Sequence, residues 1–337
     1  MSSADAVAGV LWVGVTLYAV FGGADFGGGF WALVAGSGER GNRARALIDW
    51  AIGPVWEANH VWLIFMLVTL WTAFPEAFAS VMSTLFIPLS LAALGIVLRG
   101  AGFAFQRVAA RSSARRFAEW SFAVSSVLTP FFMGTVVGAV ASGRVPIGNA
   151  EGDPVTSWLN PVSLLLGVLF VATGAYLAAV FLVSDARRFA DPDLVGYFAV
   201  RARAAAVVAG ALAVAGIFAL RADARFIYDG LTSAALPLVL VSLACGAGAL
   251  AFLWRGARRG ARPLAVGAVV AVIWGWGVAQ HPYLLPQTLT IDEGAGASET
   301  LTAVLVVFGI AVVIVLPALA LLFTLDQRSL LEEEGGR

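Results

Sequence analysis

The feature that most limits how this chain can fold is a series of apolar segments, each about as long as a helix that crosses a bilayer. A hydrocarbon core about 30 Å thick is crossed by about 20 residues of α-helix. Nine segments of the 337-residue sequence meet this requirement, and the connections between them are too short for a soluble domain. They lie at residues 6–35, 50–73, 77–98, 120–141, 159–183, 204–220, 232–254, 264–280 and 301–324. We therefore predict an all-α polytopic membrane protein in which residues 1–337 form a single integral membrane domain.

The composition agrees with this class and excludes others. The chain is 60% hydrophobic and only 12% charged, whereas soluble domains carry about 25% charged residues. Its formal net charge is zero, so no basic surface for nucleic acid is expected. The partner that this class implies is membrane lipid.

The distribution of arginine predicts how the chain is oriented. The loops after spans 1, 3, 5 and 7 carry 16 arginines, counting Arg99 in the loop after span 3, whereas the alternate loops carry only Arg144, Arg221 and Arg225. Because positive residues are retained in the cytoplasm, we predict that the N-terminus lies outside. After nine spans, the C-terminal sequence "LLEEEGGR" lies in the cytoplasm.

Three ionisable residues lie within or at the ends of the first three predicted spans. Asp25 lies in "VFGGADFGGGFW" of span 1, Glu57 lies in "IGPVWEANHVWLIF" of span 2, and Arg99 closes span 3. A charge at the centre of a membrane helix costs about 2.5–3.5 kcal/mol even on the mildest scale. From the helical rise, Glu57 and Asp25 lie roughly 12 Å and 15 Å from the inner interface. Two acids at similar depth near an arginine predict a cytoplasmic uptake route for protons or cations.

Alternatives remain open for each of these residues. Either acid alone is consistent with a hydrogen bond between helices, and Arg99 alone is more typical of an anchor at the membrane interface. The glycines around Asp25 are first of all typical of close helix packing.

The two histidines lie far apart in the predicted topology. His60 follows Glu57 by three residues, on the same helix face, and with Asn59 and Arg99 it is a candidate for a supporting polar pocket. A packed core position is the equal alternative for His60. His281 lies just beyond the outer end of span 8, so the two imidazoles do not reach one haem iron. No cluster of cysteine and histidine predicts a metal site. We predict that this chain alone holds neither haem nor metal.

Four stretches of the sequence resemble one family. These are "GGADFGGGFW", "GPVWEANHVWLI", "AFPEAFA" and "LRGAGFAF", which together cover about residues 18–106. In this order they resemble subunit II of the cytochrome bd quinol oxidases. The remainder of the chain resembles that subunit only in the number and length of its helices.

The resemblance implies a partner and an activity. Subunit I of the family carries the b- and d-type haems, oxidises quinol and reduces dioxygen to water, and subunit II is free of haem. The complex lies in the inner membrane of bacteria, is electrogenic, and in some members includes a small accessory subunit. Subunit II contributes an acid-lined proton path, and in some members a bound quinone, whose contacts match Trp56 and Asp25. This chain departs from the family at two positions: Glu57 stands where the family commonly has Asp, and Gly22 stands where it commonly has a second acid.

We therefore expect subunit II of a bd-type quinol:dioxygen oxidoreductase, with Glu57 and Asp25 as proton-transfer groups and no complete active site in this chain. Two other classes of function are kept. A proton-coupled secondary transporter also uses intramembrane acids, but the chain has no clear inverted repeat. A purely structural assembly subunit would use its acids only as hydrogen-bonding groups between helices.

Overall fold

A computed structural model of the chain describes residues 2–52, 56–108 and 112–327. Apart from one short hairpin, its regular structure is helical. The helices are α1 (Ser3–Leu17), α2 (Gly23–Leu33), α3 (Glu39–Ile52), α4 (Trp56–Ala73), α5 (Pro75–Thr84), α6 (Phe86–Val108), α7 (Ser112–Ala141), α8 (Pro161–Arg188), α9 (Pro192–Asp223), α10 (Arg225–Thr232), α11 (Leu236–Trp254), α12 (Ala261–Gln280) and α13 (Ser298–Gln327). The hairpin pairs β1 (Tyr283–Leu285) with β2 (Leu289–Thr290) in antiparallel orientation.

The first membrane span contains a distortion. A five-residue π-helical turn, Tyr18–Gly22, joins α1 to α2 without a break in the helix. The span begins with a capping box, in which the Ser2 hydroxyl accepts from the Asp5 backbone N–H and the Asp5 carboxylate accepts from the Ser2 N–H. This cap satisfies N–H groups that the first turn of a helix otherwise leaves free. The π-turn rotates α2 relative to α1, so it sets the direction in which Asp25 points.

Glycines bring four neighbouring helices into close contact. A Cβ atom at Gly27 of α2 would overlap the carbonyl oxygen of Gly174 in α8, and a Cβ at Gly134 of α7 would lie 2.7 Å from the Cα of Gly167 in α8. On α6, a Cβ at Gly95 would overlap the Thr129 hydroxyl of α7. Lipid chains are as apolar as leucine, so helices in a bilayer associate through such close packing. The glycines of the Asp25 motif therefore do serve helix packing.

By length and apolar composition, fewer described helices qualify as membrane spans than the nine predicted. Within the described residues, seven helices are long and apolar enough to cross a membrane, or up to eight if the pair Asn59–Ala73 and Pro75–Thr84 forms one broken span. That pair is bent by 118°. Phe86–Gly102 is a shorter apolar helix. The structure thus supports a multi-pass helical protein, and the count of nine and the orientation of the termini stay predictions. Residues 328–337, which include the predicted cytoplasmic tail, lie outside the described residues.

Span 3 differs most from its prediction. The predicted helix 77–98 is divided at Leu85 into α5 and α6, and α6 continues nine residues beyond Arg99 to Val108. Arg99 is therefore inside a helix and fully buried, so the prediction that Arg99 ends span 3 was wrong, while its depth in the membrane stays a prediction. The prediction followed the end of the apolar run, but the polar end of α6 continues the helix.

Ion pairs and loops close both ends of the bundle. At the end that carries the predicted cytoplasmic loops, Arg40 and Arg43 at the start of α3 pair with Asp193 of α9. At the opposite end, the loop after α7 contributes Arg144, whose guanidinium binds both carboxylate oxygens of Asp223 at 2.7 and 2.8 Å. The described loops between membrane helices hold no domain of their own.

Candidate functional site

The centre of the site is an ion pair buried between α2 and α6. Arg99 Nη2 lies 2.6 Å from Asp25 Oδ1 and also donates to the Asp25 carbonyl oxygen at 3.0 Å. The two side chains are 0% and 1% exposed. Because the pair is neutral as a unit and each charge has its opposite in contact, its burial costs less than that of either charge alone.

Helix α7 and two aromatic rings hold the guanidinium in place. Arg99 Nη1 donates to the hydroxyl of Ser126, and this hydroxyl donates in turn to the carbonyl oxygen of Phe122 at 2.7 Å. The guanidinium carbon lies 4.9 Å from the centre of the Phe26 ring and 4.2 Å from that of Phe122. Cation–π contacts of this kind gain strength where water is excluded. Arg99 is thus fixed on both faces and at two of its nitrogens.

Gly29 makes room for this arrangement. A Cβ atom there would overlap the Ser126 hydroxyl and lie 3.0 Å from Arg99 Nη1. The glycine-rich motif therefore serves the site itself, as well as the packing of α2.

Helix α4 places Asn59 and His60 next to the π-turn and α2. Asn59 is buried, and its Nδ2 donates to the Phe21 carbonyl oxygen of the π-turn at 3.3 Å. The His60 ring packs edge-on against Phe26, with ring centres 6.3 Å apart. Phe26 therefore contacts both His60 and Arg99.

Two of the predicted residues cannot be placed beyond their backbone. Trp56 and Glu57 begin α4, but their side chains lie outside the described residues. The Glu57 position is one helical turn before His60 on the same face. The proton-transfer role of Glu57 and Asp25, the pocket of Asn59, His60 and Arg99, and the quinone contact of Trp56 and Asp25 all stay predictions.

Sequence reasoning missed two members of the site, Tyr18 and Ser126. Both hydroxyls belong to common residue types in apolar segments, so residue type alone does not mark them. A weak signal was present, since Tyr18, Gly22, Asp25 and Gly29 repeat at spacings of four, three and four, which places them on one helix face. The π-turn that starts at Tyr18 has no comparable signal in the sequence.

The histidines lie at opposite ends of the first membrane span. His281 Nε2 is 3.4 Å from Asp5 Oδ1 near the start of α1, whereas His60 contacts Phe26, 21 residues further along a continuous helix. At 1.5 Å per residue this separation is roughly 30 Å, too far for both imidazoles to bind one iron. Across residues 2–52, 56–108 and 112–327, no three His, Cys, Asp or Glu side chains are grouped so that they could hold a metal ion.

The fold and the site define a polytopic helical membrane protein with a charged pair sealed between its first helices. Comparison with known proteins gives the family. Residues 4–325 match the family described as cytochrome bd terminal oxidase subunit II. This match spans nearly the whole sequence, so the chain belongs to that family.

Individual proteins that are similar to this chain are also described as parts of bd oxidases. The chain is 22% identical to the putative cytochrome bd menaquinol oxidase subunit II of Bacillus subtilis, over 96% of both chains. It is 28% identical to the cytochrome bd-I ubiquinol oxidase subunit 2 of Escherichia coli, over 63% of this chain and 53% of that one. Its fold is similar to a chain of the bd oxidase from Geobacillus thermodenitrificans, with a TM-score of 0.74 and 23% identity over 97% and 99% of the two chains. Membership places the chain in an oxidoreductase of the respiratory chain.

Proposed function

We propose that this chain is the haem-free subunit of a bd-type quinol:dioxygen oxidoreductase in the inner membrane of a bacterium. It packs there against subunit I, which carries the b- and d-type haems, with or without a small accessory subunit. The family membership and the named relatives support the complex. The wide separation of His60 and His281 supports the absence of haem from this chain.

We propose further that the chain passes cytoplasmic protons towards the site where subunit I reduces dioxygen. The observation that carries this proposal is the Asp25–Arg99 pair, which keeps a carboxylate inside the membrane with one of its two oxygens, Oδ2, unpartnered by any described residue. Oδ2 therefore has lone pairs open to a hydrogen-bond donor. Glu57, one turn before His60 on α4, supplies the second carboxyl group. Because protons for water are drawn from the cytoplasm and quinol releases its own outside, turnover would be electrogenic.

The test uses the complete oxidase complex with quinol in excess. Asp25→Asn and Glu57→Gln keep the size of each side chain but remove its carboxylate, so each should slow oxygen consumption per haem about 10²-fold or more. Haem content should stay native in Glu57→Gln, whereas Asp25→Asn also leaves the buried Arg99 charge unpaired and should lower the yield of the complex. Glu57→Asp keeps a carboxylate and should retain substantial activity. The matched controls are Asp185→Asn, at a buried carboxylate of α8, and Glu76→Gln, at an exposed one of α5.

The results separate the rival functions. Native oxygen consumption in both Asp25→Asn and Glu57→Gln would show that neither acid is an obligatory relay. Failure of both variants to assemble, with both controls intact, would favour a purely structural role. A colourless chain that purifies alone and transports a substrate would favour the transporter.

Orientation is tested separately, because cytoplasmic uptake depends on it. Ser37 is exposed in the loop between α2 and α3. In a background with Cys245→Ser, Ser37→Cys should resist an impermeant thiol reagent in intact cells and react in inverted vesicles. The reverse pattern would place the loop outside and remove the argument for cytoplasmic uptake.

A further inference from the structure

Three polar atoms around the ion pair have no hydrogen-bond partner among the described residues. They are the Tyr18 hydroxyl, Asp25 Oδ2 and Arg99 Nε, and all three are buried. A buried polar atom without a partner costs about 1–3 kcal/mol, and native proteins satisfy nearly all such atoms with protein or ordered water. Three such atoms around one site indicate a small polar guest.

The π-turn places Tyr18 at this site. Its ring lies over Gly22, where a Cβ atom would come within 2.9 Å of the ring. Asp25 follows Gly22 by three residues, so the phenol that lies over Gly22 is on the helix face that carries Asp25. π-Helical turns inside α-helices occur frequently at functional sites. The absence of a side chain at Gly22 leaves room for the Tyr18 ring on this face.

Arg99 contributes the second unpaired donor on the side that faces Asp25. In a planar guanidinium, the Nε–H lies on the same edge as Nη2, and Nη2 is the nitrogen that binds Asp25 Oδ1. The unpaired Nε–H and the unpaired Oδ2 are therefore on adjoining edges of the same ion pair.

The unpaired atoms match the hydrogen-bonding capacity of one water molecule. The Tyr18 O–H and the Arg99 Nε–H need an acceptor with two lone pairs, and Asp25 Oδ2 needs a donor. A water oxygen accepts from both donors, and one of its hydrogens binds Oδ2, which gives the three bonds typical of a buried water. A metal cation would face two donors and a guanidinium charge, and an anion would face the carboxylate oxygen.

We propose that the chain binds an ordered water between Tyr18, Arg99 and Asp25, and that Tyr18 is a positioning residue for proton transfer at Asp25. This inference rests on the proposed proton-delivery function and adds the arrangement of groups that would deliver a proton to Asp25. When an excess proton arrives, the Tyr18 O–H turns away and frees one lone pair of the water, which binds that proton while the O–H bond that faces Oδ2 breaks and a new O–H bond forms on Oδ2. The products are a carboxylic acid and a neutral water. The reverse step returns the proton, and Tyr18 and Arg99 keep their own protons throughout.

The experiment compares two tyrosine variants of the complete oxidase complex. Tyr18→Phe removes only the hydroxyl that holds the water. Tyr176→Phe is the matched control, because Tyr176 on α8 also has a buried hydroxyl without a partner in the described part of the chain. Oxygen consumption reports turnover. Infrared difference spectra in H₂¹⁸O and H₂¹⁶O report an ordered internal water through its isotope-sensitive O–H stretching band.

We expect Tyr18→Phe to lose that band and to slow turnover roughly 10-fold, as a displaced reacting group does, while Tyr176→Phe keeps both. Slow turnover with the band intact would give Tyr18 a merely structural role and overturn the proposal. Native turnover in Tyr18→Phe would overturn the proposal too. If Asp25→Asn nevertheless consumes oxygen slowly in the same experiment, only this inference fails and the proposed function stands. If Tyr18→Phe does not assemble, a high-resolution map of the native complex decides, since density bridging the three atoms supports the water and its lack refutes it.

Discussion

The chain contains two arginine–aspartate pairs whose surroundings differ completely. Arg144 and Asp223 form a bidentate pair at one end of the bundle, with side chains 32% and 35% exposed. Arg99 and Asp25 are 0% and 1% exposed, yet they share a single contact between guanidinium nitrogen and carboxylate oxygen, and atoms on both partners stay unpaired. The pair with more hydrogen bonds between its partners is thus the one that is exposed to water.

This difference teaches where incomplete hydrogen bonding is informative. On the surface, water forms hydrogen bonds with any polar atom that lacks a protein partner, and an ion pair there contributes only about 0–1 kcal/mol. Inside the membrane bulk water does not replace a missing partner, so an incompletely satisfied pair is costly unless an ordered molecule binds it. Such departures from complete satisfaction are expected at functional sites. The buried pair is therefore the one whose disruption should be felt most.

The largest effect is expected when the buried pair loses its cation. Arg99→Met leaves the Asp25 carboxylate without a counter-charge in the membrane, and breaking a buried pair in this way costs about 3–5 kcal/mol. Thermal unfolding of the purified complex and its yield should both fall sharply. Unchanged values for both would mean that water or another group already neutralises Asp25.

Removal of both charges should separate stability from activity. Replacement of a buried pair by apolar residues is often neutral or stabilising, so Arg99→Met combined with Asp25→Leu should recover most of the stability that Arg99→Met loses. Oxygen consumption should stay low, because no carboxylate remains at position 25. A double variant as unstable as Arg99→Met alone would indicate that the pair holds α2 and α6 together by its geometry.

A moderate effect is expected from a methyl group beside the buried pair. Gly29→Ala would force the Ser126 hydroxyl and Arg99 Nη1 apart, and overpacking of this kind costs about 1–3 kcal/mol. The control is Gly210→Ala in α9, where a Cβ would meet nothing within 4 Å, so the helix should be no less stable there. Equal unfolding temperatures for the two variants would argue against a tightly packed site.

The smallest effect is expected at the surface pair. Arg144→Gln breaks both contacts with Asp223 but leaves each group accessible to water, so the free energy of unfolding should fall by about 1 kcal/mol or less. The loss should shrink further as salt rises from 0.01 M to 1 M, because salt screens exposed charges. A large loss that is independent of salt would show that water does not reach this pair and would remove the contrast between the two regions.

The sequence predicted the class of the fold better than its details. Apolar length identified a helical membrane protein, because each span satisfies its backbone hydrogen bonds within itself. It missed the break at Leu85 and the continuation of α6 beyond Arg99, since a helix continues into polar sequence wherever its hydrogen bonds continue. It also missed the π-turn at Tyr18–Gly22, a change of one residue in register that leaves the hydropathy of the span unchanged.

What the sequence determined by itself about the candidate site is that rare membrane charges fall at Asp25, Glu57 and Arg99, because the cost of burying a charge depends on the residue and its apolar surroundings. Only the tertiary structure decided that Arg99 binds Asp25, 74 residues away, and that Ser126 and Tyr18 belong beside them. Contacts between helices depend on how each helix is rotated and how closely it approaches its neighbour. Here glycines set both the rotation and the approach, because atoms of neighbouring helices occupy the space where the side chain of another residue would lie. Each such contact involves two helices, so no single segment of the chain encodes it alone.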